Sequence, residues 1–105
     1  FLRDIVASRA VWLLGAGPVG KTLAEALLEE GFAVAGFAEI DPRKIGNRVR
    51  RSGRWWPVIA MHDLQAARAS CFAVAAVGRA GARERIREAL AGNGWVEMRD
   101  FICAA

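Results

Sequence analysis

The chain alternates short, wholly apolar runs with longer segments whose apolar residues recur every three or four positions. Ala10 to Leu14 (AVWLL) is a continuous apolar run ending at a glycine, the pattern of a strand buried on both faces of a parallel sheet. Phe32 to Phe37 reads the same way, as does Ser70 to Val77 (SCFAVAAV), which ends at Gly78. Between the first two, Pro18 to Glu30 carries apolar residues at 19, 23, 24, 27 and 28, one stripe of a helix stopped by Gly31. Ala80 to Ala91 repeats that periodicity, with Ala82, Ile86, Ala89 and Leu90 on its apolar side and Gly92-Asn93-Gly94 at its end. Shorter elements complete the order: an amphipathic helix over Phe1 to Ser8, a strand at Pro57 to Ala60, a brief helix over Asp63 to Ala69 and a last strand at Phe101 to Cys103. His62 or Asp63 is placed to cap the brief helix. Strands alternating with helices predict a mostly parallel sheet covered on both faces, and the absence of a repeat or linker makes residues 1–105 one domain.

Composition narrows this picture. Apolar residues make up 54% of the chain, which excludes a disordered segment. No apolar run approaches the ~20 residues that a membrane-spanning helix needs, and no basic-then-apolar leader opens the chain, so a soluble, cytoplasmic protein is expected. A first residue of Phe1 in place of Met predicts a piece of a longer protein. Cys71 and Cys103 sit in apolar stretches without metal-ligand spacing and read as reduced, structural thiols. One histidine and two distant cysteines cannot make a metal site. The net charge of +4 is unevenly placed: Arg43, Lys44, Arg48, Arg50, Arg51 and Arg54 fall between Pro42 and Trp56 with no acid among them. That segment reads either as a solvated loop or as a phosphate-binding one.

The candidate chemistry lies at Gly15-Ala16-Gly17-Pro18-Val19-Gly20. A GxGxxG alone is a weak signal, but this one leaves a predicted strand and opens a predicted helix. Gly15 permits the tight turn, Gly17 lets backbone approach a pyrophosphate, and Gly20 lets the helix pack close to the sheet. Pro18 falls in the first turn, where a missing N–H costs nothing, and the remaining N–H groups face an anion. Lys21 either favours that anion or points into water. Glu39 stands nineteen residues after Gly20, just past the second strand, where a carboxylate can accept hydrogen bonds from ribose hydroxyls. Asp41 can share that role, and loop solvation is the alternative for both. The turn Gly78-Arg79-Ala80-Gly81 should border the same crevice, with Arg79 or Arg83 in reach of a phosphate.

These residues resemble a known group. The GAGPVGK turn, GFAEIDPRKIGN, PVI and AAVGRAGAR are similar to the pattern of Rossmann-like three-layer domains. Those include coenzyme-A-binding-like domains, redox-sensing repressors and the N-terminal domains of sugar O-acyltransferases. With the DFICAA ending, the chain most resembles the small C-terminal domain of some bacterial family-two glycosyltransferases. The resemblance implies a regulatory or ligand-holding domain linked to a catalytic glycosyltransferase (transferase) domain. It implies NAD(H) as ligand, held by Gly15, Gly17, Gly20 and Glu39, with NADP, coenzyme A or a nucleotide sugar as alternatives.

Catalysis by the fragment itself is not expected. The chain has no tyrosine, which excludes the Tyr-Lys pair of short-chain reductases, and no GxSxG nucleophile turn. His62 reads as a cap or surface residue. Trp55-Trp56 beside Arg54 reads as one core and one surface ring on a strand, with an interaction patch as the alternative. Nucleic acid is not an expected partner, since no module that binds it is recognisable.

Overall fold

A computed structural model describes residues 2–76 and 81–104. Helix α1 (Leu2–Val6) leads into strand β1 (Ala10–Leu14), helix α2 (Pro18–Glu29) and strand β2 (Val34–Glu39). A hairpin of β3 (Arg48–Arg51) and β4 (Arg54–Ala60) follows, then a short helix α3 (Met61–Leu64) continued by a 3₁₀ stretch (Gln65–Ser70). Strand β5 (Cys71–Ala75), helix α4 (Ala82–Gly92) and strand β6 (Phe101–Cys103) complete the domain. The sheet order is β3-β4-β2-β1-β5-β6, parallel throughout except for β3 against β4.

The strand order reverses at β1. The chain winds from β1 through β2 to β4 on one side, then crosses back to β5 on the other, so the carboxyl end of β1 is the topological switch point. Two cores flank the sheet. Val11, Leu13, Phe37, Trp56, Phe72 and Val74 face α1 and α2, while on the other side Leu14, Ala38 and Ala73 pack with Leu64 of α3, Leu90 of α4 and Trp95. This is the mostly parallel sheet covered on both faces that the periodicity predicts, a Rossmann-like three-layer α/β sandwich as the resemblance implies.

Several boundaries differ from the sequence expectation. β2 begins at Val34 instead of Phe32 because the Phe32 N–H bonds back to the Leu27 carbonyl and closes α2. It runs on to Glu39, which is therefore the last strand residue. The brief helix starts at Met61, and Ala60 precedes it with no side-chain cap, so neither His62 nor Asp63 caps it. The largest difference is the basic segment, where a loop was one expectation: Arg48 to Arg51 forms β3, and β4 starts at Arg54, three residues before Pro57. Ser52 and Gly53 both have positive φ, at 52° and 74°, the signature of a tight type I′ turn whose twist matches the flanking strands. Inward-facing Val49 and Trp56 anchor the hairpin on α2, where Glu25 holds Arg51 at 3.1 Å and accepts from the Ser52 hydroxyl. The two tryptophans divide as expected, with Trp56 buried and Trp55 57% exposed. Val77 and Ala80, expected at element ends, lie outside the described residues.

Candidate functional site

The glycine turn sits at the switch point. Gly15 takes φ +111°, a conformation that an L side chain rarely adopts, and its N–H bonds the Ala38 carbonyl at 2.9 Å. A Cβ on Gly20 would collide with the Gly15 carbonyl oxygen, so this glycine is what allows α2 to start so close to β1. Gly17 is different. It precedes the helix in an extended conformation (φ −83°, ψ −174°), and a Cβ there would meet nothing within 4 Å. The turn therefore needs no glycine at 17 for its own packing, and the space above it is open.

Pro18 opens α2 and no side chain caps the helix. The first intrahelical bond runs from the Lys21 N–H to the Gly17 carbonyl, at 3.0 Å. The N–H groups of Val19 and Gly20 thus begin the helix without internal acceptors, and with the dipole they favour an anion. Val19 is 45% exposed at this end. Lys21 is half-buried one position further on. Gly78 and Arg79, the expected far wall, lie outside the described residues, and Arg83 is half-buried in the first turn of α4.

Glu39 comes to the turn, but its carboxylate is already engaged. Oε2 accepts from the Ala16 N–H at 2.9 Å, and Oε1 accepts from the N–H groups of Ile40 at 3.1 Å and Asp41 at 3.4 Å. Lys44 Nζ lies 3.7 Å from Oε2. The carboxylate is thus a clasp between the end of β2 and the glycine turn. A carboxylate offers about four lone-pair sites. Three are taken, so one remains for a ligand hydroxyl and the long Asp41 contact is the easiest to exchange.

Asp41 is held elsewhere. Its Oδ1 accepts from the Arg43 backbone N–H at 3.0 Å, and the Arg43 guanidinium grips both oxygens at 3.1 and 3.0 Å. The Arg43 hydrogen bonds keep the Asp41 carboxyl below its ordinary range.

A cavity of about 550 Å3 opens beside Glu39, between α3 and α4. Ile40, Ile45, Met61, Leu90 and Trp95 give it an apolar lining, with His62, Gln65 and Asn93 as polar members. Gln65 is fixed there, accepting from the Trp95 indole N–H at 2.6 Å and donating to the Asn93 carbonyl at 2.8 Å. The glycine turn does not line this cavity, and Glu39 is the residue shared by both. Sequence reasoning missed the cavity because its walls come from positions spread between 39 and 95. The one available signal was Ile40, a large apolar residue directly after the acid, which is 75% exposed.

The other candidates are peripheral. His62 is solvent-exposed, with Nε2 3.2 Å from Asp63 Oδ1. Cys71 is buried and Cys103 half-buried, both free, and burial raises both thiols above their ordinary value. Among the described residues no group of His, Cys, Asp or Glu could hold a metal, and no helix is long and apolar enough to cross a membrane.

No protein-family model matches the sequence, and no curated protein does. Solved structures do match. The fold is similar to that of RSP, a Rex-family repressor, in complex with beta-NADH, with a TM-score of 0.63 and 19% identity, covering 91% of this chain and 52% of that one. It is similar to UDP-D-quinovosamine 4-dehydrogenase from Vibrio fischeri, with a TM-score of 0.62 and 26% identity, covering 83% of this chain and 73% of that one. Aspartate semialdehyde dehydrogenase II from Vibrio cholerae, complexed with ASA, matches with a TM-score of 0.61 and 24% identity over 91% of this chain and 30% of its own. The chain spans about half the length of the repressor. These likenesses establish the Rossmann-like fold.

Proposed function

We propose that this domain binds a dinucleotide of the NAD(H) type and performs no chemistry on it. The observation that carries this is the uncapped start of α2 at the switch point, with open space above Gly17 and a buried carboxylate one hydrogen bond away at Ala16. In this reading the pyrophosphate lies against the N–H groups of Gly17, Val19 and Gly20. A ribose hydroxyl takes the free lone pair of Glu39, and the adenine enters the apolar cavity beside Ile40. Gly15, Pro18, Val19 and Gly20 shape the phosphate cradle, and Asp41 stiffens the loop that presents Glu39. The carboxylate opposes a phosphate on the ribose, so NAD(H) is preferred over NADP(H). The repressor RSP, with which this fold shares its topology, was solved with beta-NADH. The domain is a ligand-holding module joined to a catalytic domain of a glycosyltransferase-like protein.

A second reading takes a nucleotide sugar in the same cradle, favoured by the likeness to a UDP-D-quinovosamine dehydrogenase. A thermal-shift panel of NAD(H), NADP(H), coenzyme A, and UDP- and GDP-sugars separates the two. A ligand at a hundred times its dissociation constant adds ~2.7 kcal/mol of stability. A shift with NADH and none with the sugars supports the first reading; the reverse pattern overturns it.

A further inference from the structure

The hairpin of β3 and β4 carries a feature that nucleotide binding does not use. Its two-residue turn makes Arg51 and Arg54 the closing hydrogen-bonded pair, and the antiparallel ladder then alternates. Val49 and Trp56 form the next bonded pair, whereas Arg50 opposite Trp55 and Arg48 opposite Pro57 are non-bonded positions. Pro57, which has no N–H, fits that assignment. The backbone N–H and C=O groups of Arg48 and Arg50 therefore point away from β4, at the open edge of the sheet.

The side chains of the same two residues lie on the face of Trp55. Their guanidinium carbons stand 5.6 and 5.4 Å from its ring centroid. Among the described residues no carboxylate lies within salt-bridge distance of Arg48, Arg50 or Arg54, although Arg51 has Glu25 and Arg43 has Asp41. An edge lined with arginine repels a second copy of itself. It attracts a strand of opposite charge.

We propose that the open edge of β3 receives an extended, acidic polypeptide segment as an added strand. Its backbone bonds Arg48 and Arg50, and its carboxylates, on the face that carries Trp55, meet their guanidinium groups. The main-chain groups favour a peptide over a nucleic acid or a membrane, since neither of those needs an in-plane row of N–H and C=O groups.

The test uses the whole chain and a short synthetic peptide of alternating glutamate and valine, followed by calorimetric titration and backbone amide NMR. Binding should shift and protect the Arg48 and Arg50 amides. R48E/R50E should weaken it by roughly threefold to thirtyfold, from two cross-strand charge pairs. Arg50→Ala should lose less than Arg50→Pro, which also removes the outward N–H without touching the ladder to β4. The amide resonances of Val49 and Trp56, a bonded pair of the ladder to β4, report that the hairpin stays intact in each variant. Three results overturn the proposal: equal binding of a lysine–valine peptide, equal affinities of the alanine and proline variants, or tighter binding of oligothymidylate or anionic vesicles sensitive to R48E/R50E.

Discussion

Replacing Glu39 by alanine tests whether the carboxylate is a structural clasp as well as a ligand group. The substitution strips the acceptor from the N–H groups of Ala16, Ile40 and Asp41. Only the Ala16 contact is both buried and short, at 2.9 Å, and a hydrogen bond to a charged acceptor contributes ~1.5–3 kcal/mol. The other two donors are part-buried and can turn to water. The expected loss is about 2 kcal/mol, which lowers a urea midpoint by about 1 M for an m-value near 2 kcal/mol/M. Glu39→Gln keeps one oxygen for Ala16 but turns an NH₂ toward two donors, so it should fall between wild type and alanine. Denaturation without ligand, then NADH titration of each folded variant, separates the roles. An unchanged midpoint for Glu39→Ala would refute the clasp. A folded Glu39→Gln that binds NADH as tightly as wild type would refute the ribose contact.

The glycines give a contrasting pair. Gly17→Val should leave stability within about 0.5 kcal/mol and abolish NADH binding, whereas Gly20→Ala should cost about 1–3 kcal/mol because its Cβ meets the Gly15 carbonyl; thermal denaturation and ligand titration check both. Acid sensitivity should centre on Asp100. Burial alone would raise its carboxyl, but the Arg99 hydrogen bond, the Val96 N–H and the charges of Arg99 and Arg68 outweigh that and hold it below the usual 3.8. A lowered folded value means its stabilisation is present above about 3.8 and is lost as pH falls through the folded value, so Asp100→Asn should flatten the acid limb of a stability–pH curve. Trp56→Ala should cost about 3–5 kcal/mol, since the ring is buried edge-on against Phe37 and donates to the Val34 carbonyl, while Trp55→Ala should change chemical denaturation little.

Where local chemistry and global fold agree, the sequence was a sufficient guide. AVWLL is a strand at the residues its apolar run spans, because burial on both faces leaves only the pure apolar pattern. The glycine turn followed for the same reason, since Gly15 and Gly20 answer to backbone geometry and not to distant packing. β3 did not follow. In Arg-Val-Arg-Arg only Val49 points inward, arginine has no strong strand preference, and Ser-Gly is a weaker turn signal than Asn-Gly. Glu39 was located as a site residue, but its engagement with Ala16 depends on a contact across twenty-three positions that no local pattern encodes.

The crossover from β4 to β5 explains the two surfaces that the motifs did not foretell. It must pass over β2 and β1, three strand spacings or about 14 Å, and also descend a strand length of about 17 Å, a diagonal of about 22 Å. The described crossover runs over residues 61–70. As an α-helix those residues would reach about 15 Å, whereas a four-residue α-turn followed by six residues at the longer 3₁₀ rise reaches about 18 Å. The 3₁₀ stretch thus spans more of that diagonal than an α-helix of the same ten residues would. A short, thin crossover covers less of the sheet face than a full helix does. Toward α4 it leaves the cavity beside Glu39. Toward the hairpin it leaves Trp55 in solvent with Arg48 and Arg50 upon it. Lengthening this crossover by a helical turn should relax the 3₁₀ segment to α, and the added side chains should narrow the cavity, weakening any ligand whose base it holds.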